Sequence, residues 1–365
     1  MNNYIFQPTF GNRPNEYIGR DEVINQFMEG LREPVGSRNR CSFFLGQRGM
    51  GKTALLLELG DRAAKQDFVI ARVTAHEGMP KAIIEQVQLN GSPFFKDEKR
   101  KVTGFNAGVL GFSFGLTFSE AAERQYGFRS KMSLLCDCLA EKGKGVLILI
   151  DEVCSSAAMR EVASAYQELV GDGKNIAIAM AGLPHAVSSV LNDKVLTFLN
   201  RATKIELGLI STNLIQAYYS QVFRSIGIQA SDDILHKAAA ATRGFPYLMQ
   251  LVGYYLIRYT PEKGEIDESI IDKAEKAAMN DLEDNVFKPI LTPLSDNDRL
   301  FLRAMAGCGE TITTAKLQSK LGKKGQALQT YRKRLLDAGV IAAPRRGELV
   351  FTVPYFAEFL LEGLS

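Results

Sequence analysis

The chain has 365 residues, enough for about two to three domains with sizeable cores. Apolar residues make up 46% of the sequence and charged residues 23%, values that exclude a largely disordered chain. The 44 basic and 41 acidic residues leave a net charge of +3, so only a local basic cluster could indicate a polyanionic partner.

The cysteines and the first residues indicate the compartment. Five cysteines are few for this length, odd in number and mostly within apolar runs, which favours reduced thiols in a cytoplasm. The start, MNNYIFQP, lacks the pattern of a signal peptide, and no run approaches the ~20 apolar residues of a membrane span. We expect a soluble cytoplasmic protein with no membrane partner.

Short apolar strands alternate with helical stretches up to residue 208, which is typical of an α/β fold with a parallel sheet. The predicted strands are Ser42–Leu45, Phe68–Thr74, Val146–Ile150, Ile176–Ala181 and Thr203–Leu207. The predicted helices are Thr53–Lys65, Pro80–Leu89, Arg129–Ala140, Ala157–Val170 and His185–Leu191.

One segment, Val102–Phe118, does not follow this alternation. It is rich in Gly and Phe, and its apolar residues alternate strictly from Phe112 to Phe118, which predicts a strand or hairpin. The hairpin could cover an edge of the sheet, or it could contact a partner subunit or DNA. The residues leave both interpretations open.

Beyond residue 208 the strand patterns end. Helical periodicity over Asn213–Ser225, Ile234–Ala241 and Tyr247–Tyr259 predicts an all-α lid over residues 209–288. Two prolines, Pro289 and Pro293, and the following serine indicate a linker. The predicted domains are therefore residues 1–208, 209–288 and 289–365.

The segment GQRGMGKT fits the pattern G-x-x-x-x-G-K-[ST] and stands between a predicted strand and a predicted helix. Its glycines let the loop curl so that backbone N–H groups and the N-terminus of the helix face phosphate oxygens. Lys52 is expected to reach the β- and γ-phosphates, and the Thr53 hydroxyl to bind Mg²⁺. The residues predicted to bind ATP or ADP here are Gly46, Gln47, Arg48, Gly49, Met50, Gly51, Lys52, Thr53 and Ala54.

A second motif, VLILIDE, ends in Asp151 and Glu152, ~100 residues after the loop. An apolar run that ends in two acids predicts a buried strand that presents carboxylates at the carboxyl edge of the sheet, where α/β proteins bind ligands. Asp151 is predicted to hold Mg²⁺ with Thr53. Glu152 is predicted to polarise the attacking water and, with Lys52, to be catalytic.

These two motifs resemble Walker A and Walker B of AAA+ and STAND-type P-loop ATPases, closest to the bacterial and archaeal ATPases allied to the origin-recognition initiators. The sequence also implies one more strand between the two motif strands, as in ATPases that carry their own catalytic Glu. The resemblance implies a P-loop ATPase core that binds ATP, ADP and Mg²⁺.

Three further pieces resemble this family. Gly19 and Arg20, in YIGRDE, match the box that lies beside the adenine, and Pro246 matches the G-x-P motif of the STAND lid. Arg201, in NRA, stands where the family has its arginine finger, a catalytic residue that reaches the γ-phosphate of a neighbouring subunit. This implies an ATP-dependent homo-oligomer, which sedimentation with and without ATP would reveal. An ordinary surface salt bridge is the alternative for Arg201.

Two polar groups of the family have no match. The predicted strand Ile176–Ala181 is followed by GLP, without the Asn, Ser or Thr of the first sensor. The lid has Phe245 within Gly-Phe-Pro where the initiators carry a second-sensor arginine, and Arg243 stands beside it. Because both groups would couple γ-phosphate chemistry to lid movement, we expect tight binding and slow hydrolysis.

The C-terminal residues resemble a winged helix-turn-helix of three helices and a wing. Ser295 is predicted to cap the first helix, whose inward residues are Leu300, Phe301, Leu302 and Met305. The other predicted elements are a helix Ala315–Leu321 capped by Thr313, a helix Gly325–Ala338 stopped by Gly339, and wing strands Val340–Ala342 and Leu349–Val353.

The residues of the third of these helices and of the predicted wing indicate DNA binding. Leu328, Tyr331 and Leu335 share one face, which leaves side chains suited to base edges and phosphates on the other. Nine basic residues and one acid lie between Lys316 and Arg346, a net charge of +8 that leaves −5 for the rest of the chain. The residues predicted to contact double-stranded DNA are Gln326, Gln329, Thr330, Lys333, Arg345 and Arg346.

Two functions therefore remain open. The basic cluster favours an ATPase whose nucleotide state controls DNA binding or assembly. The missing sensors and the Gly-Phe-Pro segment favour a STAND-like signalling switch whose C-terminal module binds protein instead of DNA. Winged helices serve in both roles.

Overall fold

The computed structural model describes residues 5–8, 14–95, 112–113, 117–118, 126–309, 312–322, 326–345 and 347–362. Contacts divide the chain into two compact units. The sheet unit comprises Arg20–Gly46 and Lys52–Leu207. The helical unit comprises Met1–Gly19, Gln47–Gly51 and Gly208–Ser365, so the middle of the predicted phosphate loop groups with the helices.

A parallel sheet forms the centre of the sheet unit, as the alternating pattern predicts. The strands of this unit are β1 (Cys41–Leu45), β2 (Phe68–Thr74), β3 (Phe112–Ser113), β4 (Thr117–Phe118), β5 (Gly145–Asp151), β6 (Ile176–Gly182) and β7 (Thr203–Glu206). Five of them pair in the order β2-β5-β6-β1-β7, with every neighbouring pair parallel. The central strand, β6, is buried at every residue, which explains its unbroken apolar run.

The helices of the sheet unit are α1 (Asp21–Arg32), α2 (Lys52–Ala64), α3 (Met79–Phe95), α4 (Phe128–Ala140), α5 (Ala157–Gly171) and α6 (Pro184–Leu191), with 3-10 turns at Arg38–Arg40 and Thr197–Arg201. All five predicted helices are present, and α3 runs beyond its predicted end at Leu89. The additional helix is α1, whose residues Ile24, Phe27 and Leu31 are buried at helical spacing.

In the helical unit, a helical module (residues 212–291) contains α7 (Thr212–Ser225), α8 (Asp232–Ala241), α9 (Pro246–Tyr259), α10 (Glu268–Leu282), a π-helical turn at Glu283–Phe287 and α11 (Lys288–Leu291). The prediction of a linker at Pro289 is wrong, because this proline lies in the first turn of α11. The backbone is helical without a break from α10 through the π-helical turn into α11, because the residues at both junctions have right-handed helical φ and ψ. The π-helical turn interrupts the regular hydrogen-bond ladder of the helix, and a proline that has no N–H to donate is accommodated just after it.

A C-terminal module (residues 296–362) contains α12 (Asp296–Ala306), β8 (Ile312–Thr313), α13 (Thr314–Leu321), α14 (Gln326–Asp337), β9 (Ile341–Ala342), β10 (Glu348–Phe351) and α15 (Phe356–Glu362). The three strands form an antiparallel sheet in the order β8-β10-β9, and the predicted wing pairing is present with Val350 opposite Ala342. The predicted caps are present too: the hydroxyls of Ser295 and Thr313 each accept a backbone N–H three residues on.

One prediction about this module is wrong. Leu300 was expected to face inward, but it is 48% exposed, whereas Phe301, Leu302 and Met305 are buried. The apolar stripe of a helix that packs on one side covers about 100° of its circumference, and four apolar residues within six positions exceed that width.

The Gly- and Phe-rich segment falls mostly outside the described residues. Within it, β3 and β4 pair antiparallel, with Phe112 opposite Phe118, so a hairpin is present at the position where alternation predicted one. Its contacts remain a prediction in either form. In the part of the chain that the structure describes, no helix is both long and apolar enough to cross a bilayer.

Candidate functional site

The predicted phosphate loop follows β1 and leads into α2. Gly49 and Gly51 have φ values of +78° and +81°, so the loop curls through conformations that other residues disfavour. Open space adjoins Gly51, where an added Cβ would meet no atom within 4 Å. Lys52 donates from Nζ to the carbonyl oxygen of Gly46 at 2.8 Å, so its ammonium lies beside the loop.

Thr53 and Asp151, 98 residues apart in sequence, meet in the sheet unit. Thr53 Oγ1 donates to Asp151 Oδ2 at 2.5 Å. Thr53 stands in the first turn of α2 and Asp151 ends β5, so both follow strands at the carboxyl edge of the sheet. The two residues predicted to hold Mg²⁺ are thus neighbours.

A hydroxyl beside a carboxylate fits the oxygen ligands that Mg²⁺ prefers. Among the described residues, no group of three or more His, Cys, Asp or Glu side chains converges on one point. Thr53 and Asp151 would hold a magnesium ion here, which when bound would neutralise charge on the phosphates of a nucleotide.

Glu152 follows the end of β5 in an unusual conformation. Its φ is +53°, in the left-handed region that non-glycine residues seldom enter. Its N–H donates to Asp151 Oδ1 at 2.9 Å, and the next residue, Val153, donates to the Ala181 carbonyl oxygen of β6 at 2.9 Å. These two bonds hold the turn, and the exposed Glu152 carboxylate projects at the edge where a ligand would bind. Strain of this kind concentrates at functional sites.

The loop after this turn is fixed by Asp193, which the sequence did not single out. Its carboxylate accepts hydrogen bonds from Arg160 Nε at 2.7 Å, Ser155 Oγ at 3.2 Å and the Val195 N–H at 3.0 Å. The bond from Val195, followed by that from Arg160, holds the pKa of Asp193 below its usual range. The carboxylate therefore stays ionised and ties Ser155, three residues after Glu152, to the segment that leads to Arg201.

Arg201 ends the 3-10 turn before β7 and is exposed. Among the described residues, no carboxylate forms a salt bridge with Arg201. The structure therefore gives no support to the alternative of a surface salt bridge. Its role as an arginine finger stays a prediction, because it would act on a neighbouring subunit.

Gly19 and Arg20 stand at the entrance to α1. Arg20 occupies the N-cap position, and burial lowers the pKa of its guanidinium. In the helical unit, a Cβ placed on Gly19 would lie 3.5 Å from Ile210 and 3.6 Å from Leu214. Leu214 is 48% exposed, so it offers an accessible apolar surface of the kind that a purine base contacts.

Phe245 lies directly against the phosphate loop, a contact within the helical unit that the sequence did not predict. A Cβ built on Gly49 would overlap Cζ of Phe245 and lie 3.1 Å from both Cε atoms, so the tip of the ring points at Gly49. Phe245 is fully buried, and Pro246 begins α9 right after it. The position that would hold a second-sensor arginine thus carries an apolar ring.

Arg243, whose direction the sequence left open, packs on the C-terminal module. Its guanidinium stacks on the Tyr355 ring at 3.6 Å from the centroid and pairs with Glu358 at 2.7 Å. Tyr355 also donates from its hydroxyl to the Ala241 carbonyl oxygen at 2.8 Å. No signal in the sequence marked Tyr355 or Glu358, because both are single polar residues near the end of the chain.

The residues predicted to contact DNA are distributed over α14 and the connection between β9 and β10. Gln329, Thr330, Lys333 and Arg345 are exposed, whereas Leu328 and Leu335 are buried on the opposite face. The side chain of Gln326 and the whole of Arg346 lie outside the described residues.

Some of the basic cluster serves the module itself. Arg334 pairs with the buried carboxylate of Asp298 at 2.7 Å, and Lys320 donates to the Gly307 carbonyl oxygen at 2.6 Å. These two side chains are therefore less available to a ligand than Lys333 and Arg345.

Comparisons with known proteins give one family match and several similar solved structures. Residues 284–360 match a family described as a domain of unknown function, DUF8462, which covers the C-terminal module almost entirely. No curated protein matches the chain.

Two solved structures are similar over nearly the whole chain. One is the Walker-type ATPase PABY2304 of Pyrococcus abyssi, with a TM-score of 0.68 and 16% identity over 96% of this chain and 97% of that one. The other is the ORC2 protein of Aeropyrum pernix in its ADPNP–ADP complexes, with a TM-score of 0.60 and 14% identity over 97% and 95%. At such identities the likeness establishes a shared fold, so this chain has the fold of these two proteins.

Proposed function

We propose that this protein is an AAA+/STAND-like ATPase that binds Mg-ATP and hydrolyses it slowly, and that its nucleotide state controls duplex DNA binding by a C-terminal winged helix. The hydrogen bond between Thr53 and Asp151 carries the nucleotide part. It brings a hydroxyl and a carboxylate from distant motifs to one point in the sheet unit, and in the sequence the hydroxyl directly follows the phosphate loop. The fold shared with a Walker-type ATPase, and with a protein solved with ADPNP and ADP, adds support.

Each residue has a distinct task in this proposal. The loop amides bind phosphate oxygens, and the Lys52 ammonium exchanges the Gly46 carbonyl for the β- and γ-phosphates. Thr53 and Asp151 hold Mg²⁺, which when bound neutralises charge on the phosphates. Glu152 orients the attacking water and accepts its proton.

Slow turnover is proposed because two stabilising groups are absent from their usual places. The end of β6 has buried Ala179, Met180 and Ala181 in place of a polar sensor. Phe245 replaces the second-sensor arginine. Fewer preorganised dipoles then face the charge that develops on the γ-phosphate, which lowers the rate of hydrolysis more than the affinity.

DNA binding is proposed from the C-terminal module. Its order of three helices, with β8 before α13 and a β9–β10 hairpin after α14, resembles that of winged-helix domains and supports this part of the proposal. Gln329, Thr330 and Lys333 lie on the exposed side of α14 and Arg345 on the wing. This arrangement suits α14 to a groove and the wing to the phosphate backbone.

Calorimetry with Mg-ATP tests the nucleotide site. Lys52→Ala should abolish or greatly weaken binding, because the triphosphate loses a cation that contacts it directly. Lys65→Ala, which removes the same charge just after the far end of α2, should bind as the wild type does. Equal binding by the wild type and Lys52→Ala would refute the phosphate-loop assignment.

A STAND-like switch is the second candidate, and the direction of Arg243 favours it. This arginine faces Tyr355 and Glu358 of the C-terminal module. Such contacts could hold the module in a resting position, so that its release exposes a protein-binding surface. Failure of the module to bind duplex DNA at low salt, with or without nucleotide, would make this candidate the better one.

A further inference from the structure

We propose that Phe245, Arg243 and Tyr355 form a relay by which phosphate at Gly49 alters how the C-terminal module is held. The inference rests on the proposed nucleotide binding and deepens it by naming a regulatory connection. All of its residues, including Gly49, belong to the helical unit.

The relay begins at the phosphate loop. The tip of the Phe245 ring touches Gly49, which has a φ of +78° and lies in the part of the loop whose amides would face phosphate. The ring is fully buried, so it has no free space into which it can retreat without a shift of its own backbone. A phosphate that draws the Gly49 backbone toward itself therefore changes the position of Phe245.

The turn behind Phe245 is firmly bonded. Buried Thr242 donates to the Ala239 carbonyl oxygen at 2.6 Å and accepts the Gly244 N–H at 3.1 Å. Gly244 accepts the Ile210 N–H at 2.8 Å, and a Cβ on Gly244 would overlap the Ile210 carbonyl oxygen. A turn held this closely moves as one piece, so displacement at Phe245 reaches Arg243, two residues earlier.

Arg243 and Tyr355 form the next contact, and both are strained. Their φ values are +47° and +65°, although neither is glycine. Such conformations persist only where surrounding contacts hold them, and here the stacked guanidinium and ring and the bond from Tyr355 to Ala241 do so. The contact between Arg243 and Tyr355 therefore responds to a shift of the turn, because it helps to hold both residues in disfavoured conformations.

The far end of the relay is α14. Thr352, three residues before Tyr355, donates to the carbonyl oxygen of Gly339 at 2.8 Å or of Val340 at 2.9 Å. These carbonyls lie just after α14. Glu358, which pairs with Arg243, is on α15, whose Phe356 packs on Phe287 with ring centroids 5.1 Å apart. Along the chain, Tyr355 therefore lies between α14, the proposed DNA-binding helix, and α15, which packs on Phe287 of the helical module.

A single tryptophan tests the relay, because the chain has none. Tyr355→Trp gives up the hydroxyl bond to the Ala241 carbonyl oxygen but keeps an aromatic ring for Arg243 to stack on, since an indole binds a cation at least as well as a phenol. On titration with Mg-ATP, its emission should shift to longer wavelength as the guanidinium leaves and water replaces it. The midpoint should equal that of calorimetric binding to the same variant.

Three variants separate the relay from other effects. Tyr254→Trp places the probe beside Arg258, which stands 5.9 Å from the Tyr254 ring on the same helix, and its emission should not change. Tyr355→Trp with Phe245→Leu should bind Mg-ATP but lose the shift, because leucine keeps an apolar side chain without reaching Gly49. Phe245→Ala should do the same, and the leucine variant serves if the alanine variant fails to fold.

The outcomes distinguish the relay from the nucleotide site. Calorimetric binding without any emission shift in Tyr355→Trp overturns the relay alone. A shift that survives Phe245→Leu also overturns it, since the signal then travels by another route. Absence of calorimetric binding to the wild-type protein overturns the proposed nucleotide site and the relay with it.

Discussion

Glu152 combines backbone strain with an exposed carboxylate at the edge of the sheet. Its φ of +53° costs on the order of 1–3 kcal/mol, which a glycine would not incur. An exposed residue whose backbone conformation lowers stability is expected to serve another purpose. General-base catalysis is the purpose that its place beside Asp151 suggests.

Glu152→Gly should therefore raise the free energy of unfolding by about 1 kcal/mol, because relief of strain exceeds the extra chain entropy that glycine loses. Glu152→Gln should leave stability unchanged. Both variants should lower kcat for ATP hydrolysis by about 10²- to 10⁴-fold while Mg-ATP still binds. Denaturant unfolding and a phosphate-release assay measure the two effects.

Glu161→Gln, an exposed glutamate on α5, is the matched control and should change neither quantity. Wild-type turnover in Glu152→Gln would leave Glu152 with a structural role only. Loss of stability in Glu152→Gly would show that the left-handed conformation is not a source of strain.

At single residues, the sequence predicts which side chains are buried better than it predicts which ones touch. Leu328 and Leu335 are buried as their helical spacing predicts, and Thr53 meets Asp151 as the two motifs predict. The contact of Phe245 with Gly49 and the direction of Arg243 could not be predicted. Such contacts depend on how helices far apart in the chain pack, and periodicity carries no information about that.

At the scale of elements, an ion pair joins two helices of the C-terminal module, α12 and α14, and its aspartate is buried. Asp298 on α12 is 3% exposed; it accepts from Ser295 through one carboxylate oxygen and from Arg334 on α14 through the other. Removing the guanidinium leaves that second oxygen without its partner in a poorly hydrated place, which is costly for a charged group.

Arg334→Ala should therefore lower the free energy of unfolding by about 2 kcal/mol, measured by denaturant titration. Lys333→Ala, the neighbouring cation on the exposed face, should cost less than ~0.5 kcal/mol. Adding Asp298→Asn to Arg334→Ala should cost less than the sum of the two single changes, since they share one interaction. Additive losses would indicate that the pair does not couple α12 to α14.

The elements themselves follow closely from the pattern of the sequence. The predicted strand at 68–74 has the observed bounds, and Pro246 begins α9 one residue before its predicted start. No helix was predicted at α1 or α10, although buried residues recur at helical spacing in both. The prediction at Pro289 is wrong because this proline follows a π-helical turn inside a continuous helical run, so a proline alone does not identify a linker.

For the whole molecule, charge is divided unevenly along the chain. The segment from Lys316 to Arg346 carries +8 and the remainder −5. Opposite signs within one chain keep the net charge small while leaving one basic segment, so any attraction to DNA should be local and strongly dependent on salt. Two of these cations, Arg334 and Lys320, already bond within the module, whereas Lys333 and Arg345 are exposed and are proposed to meet phosphates.

Duplex DNA binding measured across a salt series tests this division of charge. Each phosphate contact releases counterions, so replacing Arg345 or Arg346 with Ala should flatten the slope of log affinity against log salt by about one unit, equally for all sequences. Gln329→Ala should instead weaken some sequences more than others, because its amide can read base edges. Arg258→Ala, which replaces an exposed arginine of the helical module, should leave the slope unchanged.

Mg-ATP should alter the affinity of the wild-type protein for DNA and not that of Lys52→Ala. Unchanged slopes in the wing variants would remove the wing from the interface, and no binding at low salt would assign the module to a protein partner.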